Sequence, residues 1–170
     1  MEVAAAALEH ADQIAAIHVR SWQAAYEDIL AGSYLESLSI ERRADAWRAA
    51  LRDGAPTIHV AIEDARTIGF VSFGKCRDEA ATAERGEIWA IYVEPEYWGR
   101  GAGRALLWQA LSALRSLRFA VVSLWVLDRN ERGIRFYERA GFTRIHGSSR
   151  RFELGGVQVE EVAYQCCHAD

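Results

Sequence analysis

Ile-Tyr-Val-Glu-Pro-Glu-Tyr-Trp-Gly-Arg-Gly-Ala-Gly-Arg-Ala-Leu, residues 91–106, is where a β-type run meets a glycine-rich turn and then a helical pattern. Upstream, residues 87–93 (Glu-Ile-Trp-Ala-Ile-Tyr-Val) are rich in aromatic and β-branched types that suit a pleated, half-buried surface. Pro95 cannot continue a central ladder, so the strand is expected to stop near Val93. Downstream, leucines and alanines at 106, 107, 110, 111, 114 and 117 fall on one side of a helix, and Gln109, Ser112 and Ser116 line the other. That spacing predicts a helix from about Arg100 to Arg118.

Gly99, Gly101 and Gly103 lie between the two elements. Without Cβ atoms, successive backbone N–H groups can turn inward on a ligand. A helix N-terminus adds unpaired amide donors and partial positive charge, so an anion such as pyrophosphate suits the turn. The plainer alternative is a turn that tightens a strand-to-helix connection. Two other phosphate loops fail on spacing. A Rossmann fingerprint needs glycine or alanine three residues after its second glycine, and Arg104 or Leu106 stands there. A Walker A loop needs Lys and then Ser or Thr after its last glycine, and Arg104 and Ala105 follow Gly103.

The 170 residues suit a single domain, 1–170, with a substantial core. The net charge of −4 argues against a nucleic-acid binder, although arginines gather at 100–104, 129–135 and 144–151. Cys76, Cys166 and Cys167 have neither disulfide-scaffold density nor paired zinc spacing, and the scattered histidines form no HExxH, so no metal site is expected. The apolar start is short, lacks a basic leading segment and is followed by Glu9, His10 and Asp12, which does not read as a signal peptide. No run approaches a membrane span, so a cytoplasmic location without membrane association is the expectation.

Taken in order, residues 3–8 read as a first strand and Asp12 as a helix start. A helix over about 12–26 places His18, Trp22 and Tyr26 on its inner side; His18 reads as a core histidine, and Trp22 and Tyr26 as core or as the rim of an acceptor pocket. A helical turn around Tyr34 precedes a helix that starts at Ser39 and ends before Gly54. Residues 57–63 and 68–76 form a hairpin around Asp64 and Ala65, and 77–84 form a polar loop. Residues 119–127 are almost wholly apolar, as in a strand buried on both faces, and strand–helix–strand connectivity implies parallel pairing by a right-handed crossover. A short helix opens after Asn130 and ends at Gly141, and β-type runs at 142–145, 151–154 and 157–164 close the sheet. The architecture is mixed α/β.

Val93-x-Pro95 followed by Trp98-Gly99-Arg100-Gly101-Ala102-Gly103 resembles the acetyl-CoA pyrophosphate loop of the GNAT superfamily of N-acetyltransferases. The family usually carries Arg or Gln where this chain has Trp98, which still offers a backbone N–H. Asn130, Phe136, Tyr137, Gly141 and Phe142 are similar to its second signature, at matching separation. The resemblance implies a mostly antiparallel central sheet with one splayed parallel strand pair, flanked by helices, and acetyl-CoA as cosubstrate without a metal. It implies that Ile91, Tyr92 and Val93 pair with pantetheine, that Trp98, Gly99, Arg100, Gly101, Ala102, Gly103 and Arg104 cradle phosphate, and that Asn130 bonds the cofactor or its loop. As an alternative, Asn130 simply caps its helix.

Acyl transfer from a thioester to an amine needs a neutral amine, an oxyanion donor and a proton for the leaving thiolate. The resemblance makes Tyr137 the general acid, a backbone N–H near Tyr92 the oxyanion donor, and Glu87 the base through water. Simple alternation puts Glu87, Trp89, Ile91 and Val93 on one strand face, and a structural ion pair is the competing role for Glu87. Trp22, Tyr26, Tyr34 and residues 146–152 are the candidate acceptor walls, for a small-molecule amine or peptide. A homodimer is compatible with exposed strand edges. A silent acyl-CoA sensor and an interaction module with the same fold are the alternatives to an enzyme.

Overall fold

Glycine, serine and proline punctuation sets most element boundaries. The computed structural model describes residues 1–78 and 81–167. In chain order the elements are β1 (Glu2–Ala5), a 3-10 turn (Leu8–His10), α1 (Ala11–Ala25), α2 (Gly32–Glu36), α3 (Ile40–Asp53), β2 (Thr57–Glu63) and β3 (Arg66–Lys75). They continue as β4 (Arg85–Val93), a 3-10 turn (Pro95–Tyr97), α4 (Ala102–Ser116), β5 (Val121–Leu127), α5 (Glu131–Arg139), β6 (Thr143–Leu154) and β7 (Val157–Cys167). Ser39 caps α3 by accepting from the Arg42 N–H at 3.2 Å, and Gly54 ends the helix at φ +68°. Asp64 and Ala65, at φ 49° and 61°, make the tight β2–β3 turn.

Two boundaries differ from the sequence reading. The first strand ends at Ala5 rather than Leu8, and His10, not Asp12, holds the N-cap position of α1. Asp12 lies in the first helical turn, where negative charge complements the helix dipole, and pairs with Arg48 of α3. The two β-type runs at 142–145 and 151–154 belong to the single strand β6; a register jump between Arg144 and Ser149, with Gly147 at φ +75°, separates them.

One seven-stranded sheet runs in the order β1-β2-β3-β4-β5-β7-β6, antiparallel except for β4 with β5. α4 and α5 cover one face, where Leu106, Leu107, Ala110 and Leu114 meet Val71, Phe73, Ile88, Val122 and Leu124. α1 and α3 cover the other, where Ile14 and Ile17 meet Ile58, Val60 and Phe70, with Trp47 at the margin. Among the described residues no helix is long and apolar enough to cross a membrane.

The parallel pair forms the site. Pairing runs from Arg85 with Val121 to Ile88 with Leu124 and stops, so Trp89–Val93 leave β5, which stays bound to β7 through Leu127. At the same point β4 bulges: Phe73 faces Ile88 and Ser72 faces Ala90, leaving Trp89 as an extra residue. The bulge corrects the expected face assignment. Ile88, Ile91 and Val93 pack on the α4 side, whereas Ala90 and Tyr92 pack on the α1 side. Gly86, whose Cβ position would meet Leu114, shares the Ile88 face, so Glu87 points the other way, with Ala90 and Tyr92.

Candidate active site

The split between β4 and β5 opens into a cleft of about 1020 Å³. At one end the chain turns at Gly99 (φ +78°) and Gly101 (φ +94°) into α4. Ideal Cβ positions on these two residues meet nothing within 4 Å, so the loop surface there is open, whereas a Cβ added at Gly103 would lie 3.5 Å from the Phe136 ring of α5. The Ala105 N–H donates to the Gly101 carbonyl at 3.0 Å, and the amides before it open the helix towards the cleft. Arg100 lies over Tyr97 and Arg132 over Trp98, 5.3 and 3.9 Å from the ring centroids.

The exposed edge of β4 follows from one hydrogen bond. The Glu94 N–H donates to Ile68 of β3 at 2.9 Å, so by alternation Tyr92 and Ala90 also turn their amides to β3, and Ile91 and Val93 turn theirs to the split. The Val93 carbonyl already accepts from Ser21 Oγ (2.9 Å) and Trp98 Nε1 (2.7 Å). Glu94 itself is buried and held by Arg20, whose Nε lies 3.0 Å from Oε2, which fixes this strand end to α1.

Side chains from α1, α5 and several strands make the other end. Tyr137 packs between Phe136 and Phe142, and burial, with Tyr92 nearby, pushes its phenol well above the ordinary range. Burial likewise raises Tyr26 and Tyr92. The buried Glu87 carboxylate accepts from the Arg77 backbone N–H at 2.8 Å and Nε at 3.0 Å and forms an ion pair with the same guanidinium, which also lies over Trp89. Glu161 of β7 reaches the cleft beside Arg150 of β6; burial pushes its carboxyl up, while Arg150 and Arg77 pull it back. Beneath this wall His18 stacks on Tyr92 at 4.9 Å and accepts from Trp47 Nε1 at 3.3 Å.

A profile of the acetyltransferase (GNAT) family matches residues 7–142. The chain belongs to this family. It is 35% identical over 158 residues to the uncharacterized N-acetyltransferase YuaI of Bacillus subtilis, covering 92% of this chain and 87% of that one. Its fold is that of PaiA N-acetyltransferase from Thermoplasma acidophilum, solved with coenzyme A (TM-score 0.75, 20% identity, 99% and 100% covered). It is also that of yncA from Salmonella typhimurium, solved with its cofactor acetyl-CoA (TM-score 0.76, 21% identity, 100% and 95% covered).

Within this GNAT fold, Tyr137, Glu87, Ile91, Tyr92, Val93, Trp98, Gly99, Arg100, Gly101, Gly103, Arg104, Asn130, Trp22 and Tyr26 all line the cleft. Ala102 is buried in the first turn of α4, below the loop surface. Tyr34 departs from its expected place in the acceptor wall: its ring packs on Gly155 at the β6–β7 turn, where an added Cβ would sit 2.2 Å from Tyr34 Cγ. Asn130 caps α5, its Oδ1 accepting from the Gly133 N–H at 2.9 Å, while its side chain still borders the cleft. Of residues 146–152, Arg150 and Phe152 reach the cleft.

Arg77, Trp125 and Glu161 escaped the sequence reading. Glu161 left a signal: it is in phase with the buried Val159 and Ala163 along β7, an acid at an inward-facing position. Among the described residues, no group of His, Cys, Asp or Glu is arranged to hold a metal ion.

Proposed function

We propose that this chain is an acetyl-CoA-dependent N-acetyltransferase that moves the acetyl group to a primary amine by direct transfer within a ternary complex. The observation that carries the reading is one continuous cleft joining the glycine loop, the unpaired edge of β4 and the Tyr137 phenol. The residues fit the cofactor. The amides that open α4 suit a pyrophosphate. Ile91 offers N–H and C=O to the split and Val93 its N–H, enough for pantetheine to add as a short strand; the occupied Val93 carbonyl takes no part.

When bound there, acetyl-CoA supplies an acetyl group activated as a thioester. Ile91 and Val93, which flank Tyr92, turn their amides to the split and are the candidate oxyanion donors, whereas the Tyr92 amide itself faces β3. Tyr137, kept protonated by its raised pKa, donates its proton to the departing sulfur as the C–N bond forms and the C–S bond breaks. The proton lost by the amine passes to water in the cleft, from which Tyr137 is reprotonated. Glu87 is tied up by Arg77, which supports a structural role for it: it anchors Arg77, just beyond β3, to β4.

The test is a thermal shift with acetyl-CoA followed by a screen of amines for coenzyme A release. Ligand at a hundred times its dissociation constant adds about 2.7 kcal/mol, or roughly 5 to 10 °C for a chain of this size. No shift with millimolar acetyl-CoA defeats the reading, and a shift without turnover of any amine favours the acyl-CoA sensor instead. Glu87→Gln separates its two roles, because an unchanged acid-side limb of the pH–rate profile removes it as base.

A further inference from the structure

Arg150 and Glu161 lie opposite each other on β6 and β7, and both line the cleft. Their closest charged atoms, Nη1 and Oε1, are 3.8 Å apart, which is attraction without a hydrogen bond. Guanidinium donors and carboxylate lone pairs therefore remain for a third party. The neighbouring Arg77–Glu87 pair is the opposite case, closed by hydrogen bonds from Arg77 N and Nε. Arg150 is also positioned, since its guanidinium carbon lies 3.6 Å from the centroid of the Trp125 ring, which orients the planar fork. Trp22, Phe152 and Leu154 add apolar lining to the same cleft.

Charge balance selects what such a pair binds. A simple cationic amine drawn to Glu161 meets Arg150 less than one side chain away, and an anion drawn to Arg150 meets Glu161. A molecule that carries both charges on one carbon satisfies each partner and offsets the desolvation of both.

We propose that Arg150 and Glu161 form the acceptor-recognition pair and that the acceptor is an α-amino acid with a large apolar side chain. Its carboxylate docks on Arg150, its ammonium on Glu161, and its side chain on Trp125 and Phe152. This rests on the acetyl-transfer reading above. Glu161, Tyr26, Tyr92 and Tyr137 line the same cleft, and Glu161 is within electrostatic reach of Tyr26, so an ammonium held there shares the cleft with the split and the proton donor. Glu161 takes one ammonium proton and passes it to solvent. The freed amine forms the C–N bond as the C–S bond breaks, Tyr137 protonates the sulfur, and the second proton, shed by the nitrogen as the amide forms, returns through water to Tyr137.

The experiment measures coenzyme A release by the purified full chain with L-phenylalanine, L-tryptophan, L-methionine and L-leucine, each against its amide, and with 2-phenylethylamine. At least one free amino acid is expected to exceed its amide and the phenylethylamine by tenfold or more in kcat/KM. Arg150→Gln, at a half-exposed side chain, is expected to raise that amino acid's KM tenfold or more, erase the preference over the amide and leave the acetyl-CoA thermal shift intact. Arg150→Lys should restore only part of the preference. Glu161→Gln should lower kcat/KM for acid and amide alike. Amides or phenylethylamine matching the free acids in the wild type overturn the proposal. So does a protein that shifts with acetyl-CoA but turns over none of the four amino acids, an outcome that leaves the acetyl-transfer reading standing. Absence of the thermal shift removes both.

Discussion

One end of the cleft is made by backbone and the other by side chains. At the glycine-loop end the chemistry lies in amides that the chain cannot close, at Gly99, Gly101, the first turn of α4, Ile91 and Val93. At the carboxylate end it lies in Tyr26, Glu87, Tyr137, Arg150 and Glu161, carried by the residue that caps the end of α1 and by β4, α5, β6 and β7. Backbone amides keep their chemistry whatever residue carries them, provided the local conformation holds. Side chains lose theirs with one substitution. The first end suits a ligand shared by many proteins, and the second suits a choice among acceptors.

The sharpest break in this contrast is Tyr137→Phe. It keeps the ring between Phe136 and Phe142 and removes the proton, so kcat should fall by about 10² to 10⁴-fold with the acetyl-CoA thermal shift retained. An unchanged kcat would make Tyr137 a packing residue. At the other end, Gly101→Val forces a β-branched residue to φ +94°. It should cost about 1 to 3 kcal/mol and weaken acetyl-CoA binding by roughly 10 to 100-fold, the same strain expressed through a misaligned loop. Gly103→Ala is the control: its Cβ would meet the Phe136 ring at an ordinary 3.5 Å, and binding should hardly change. Similar losses in both glycine variants would mean that space, not backbone angle, governs the loop.

The same contrast explains what could be read from the chain alone. Positive-φ glycines, Pro95, the Ser39 cap and the helical spacing of α4 are local signals, so the strand–loop–helix unit and most boundaries were legible. Glu87 was legible as a residue but not as a direction, because the bulge at Trp89 depends on pairing with β3 and reverses every face assignment before it. Tyr34 was misplaced because the β6–β7 turn, more than a hundred residues on, lands on its ring. Arg150 and Glu161 face each other only once β6 is in register with β7, and that register contains a jump.

The carboxylate end also carries a pH sensitivity that the glycine loop lacks. Burial, and secondarily Arg43, lowers His18 to about 3, so the folded chain holds this ring neutral where the unfolded chain protonates it. The folded pKa lies below the unfolded one. Its stabilising contribution is therefore complete above about pH 6.5 and is lost as pH falls towards 3, amounting to about 2 kcal/mol by pH 5. Thermal melts of wild type should show this extra slope between pH 6.5 and 5, and His18→Phe, which keeps a ring on Tyr92, should lack it. Equal slopes would assign the acid sensitivity to other groups.

Trp98 tests the boundary between the two ends, because there a side chain does backbone work. Its indole N–H shares the Val93 carbonyl with Ser21 Oγ, and Arg132 lies against its ring. Trp98→Phe removes that N–H while the Ser21 bond remains, so the loss should be about 1 kcal/mol, near fivefold in an equilibrium constant. If the indole serves the loop, acetyl-CoA affinity should fall by about that factor. If it only braces the end of β4, the melting temperature should drop with affinity unchanged. Tighter binding in Trp98→Arg, which restores a residue the family more often carries, would mean that the indole holds the strand end closed at the expense of the phosphate site.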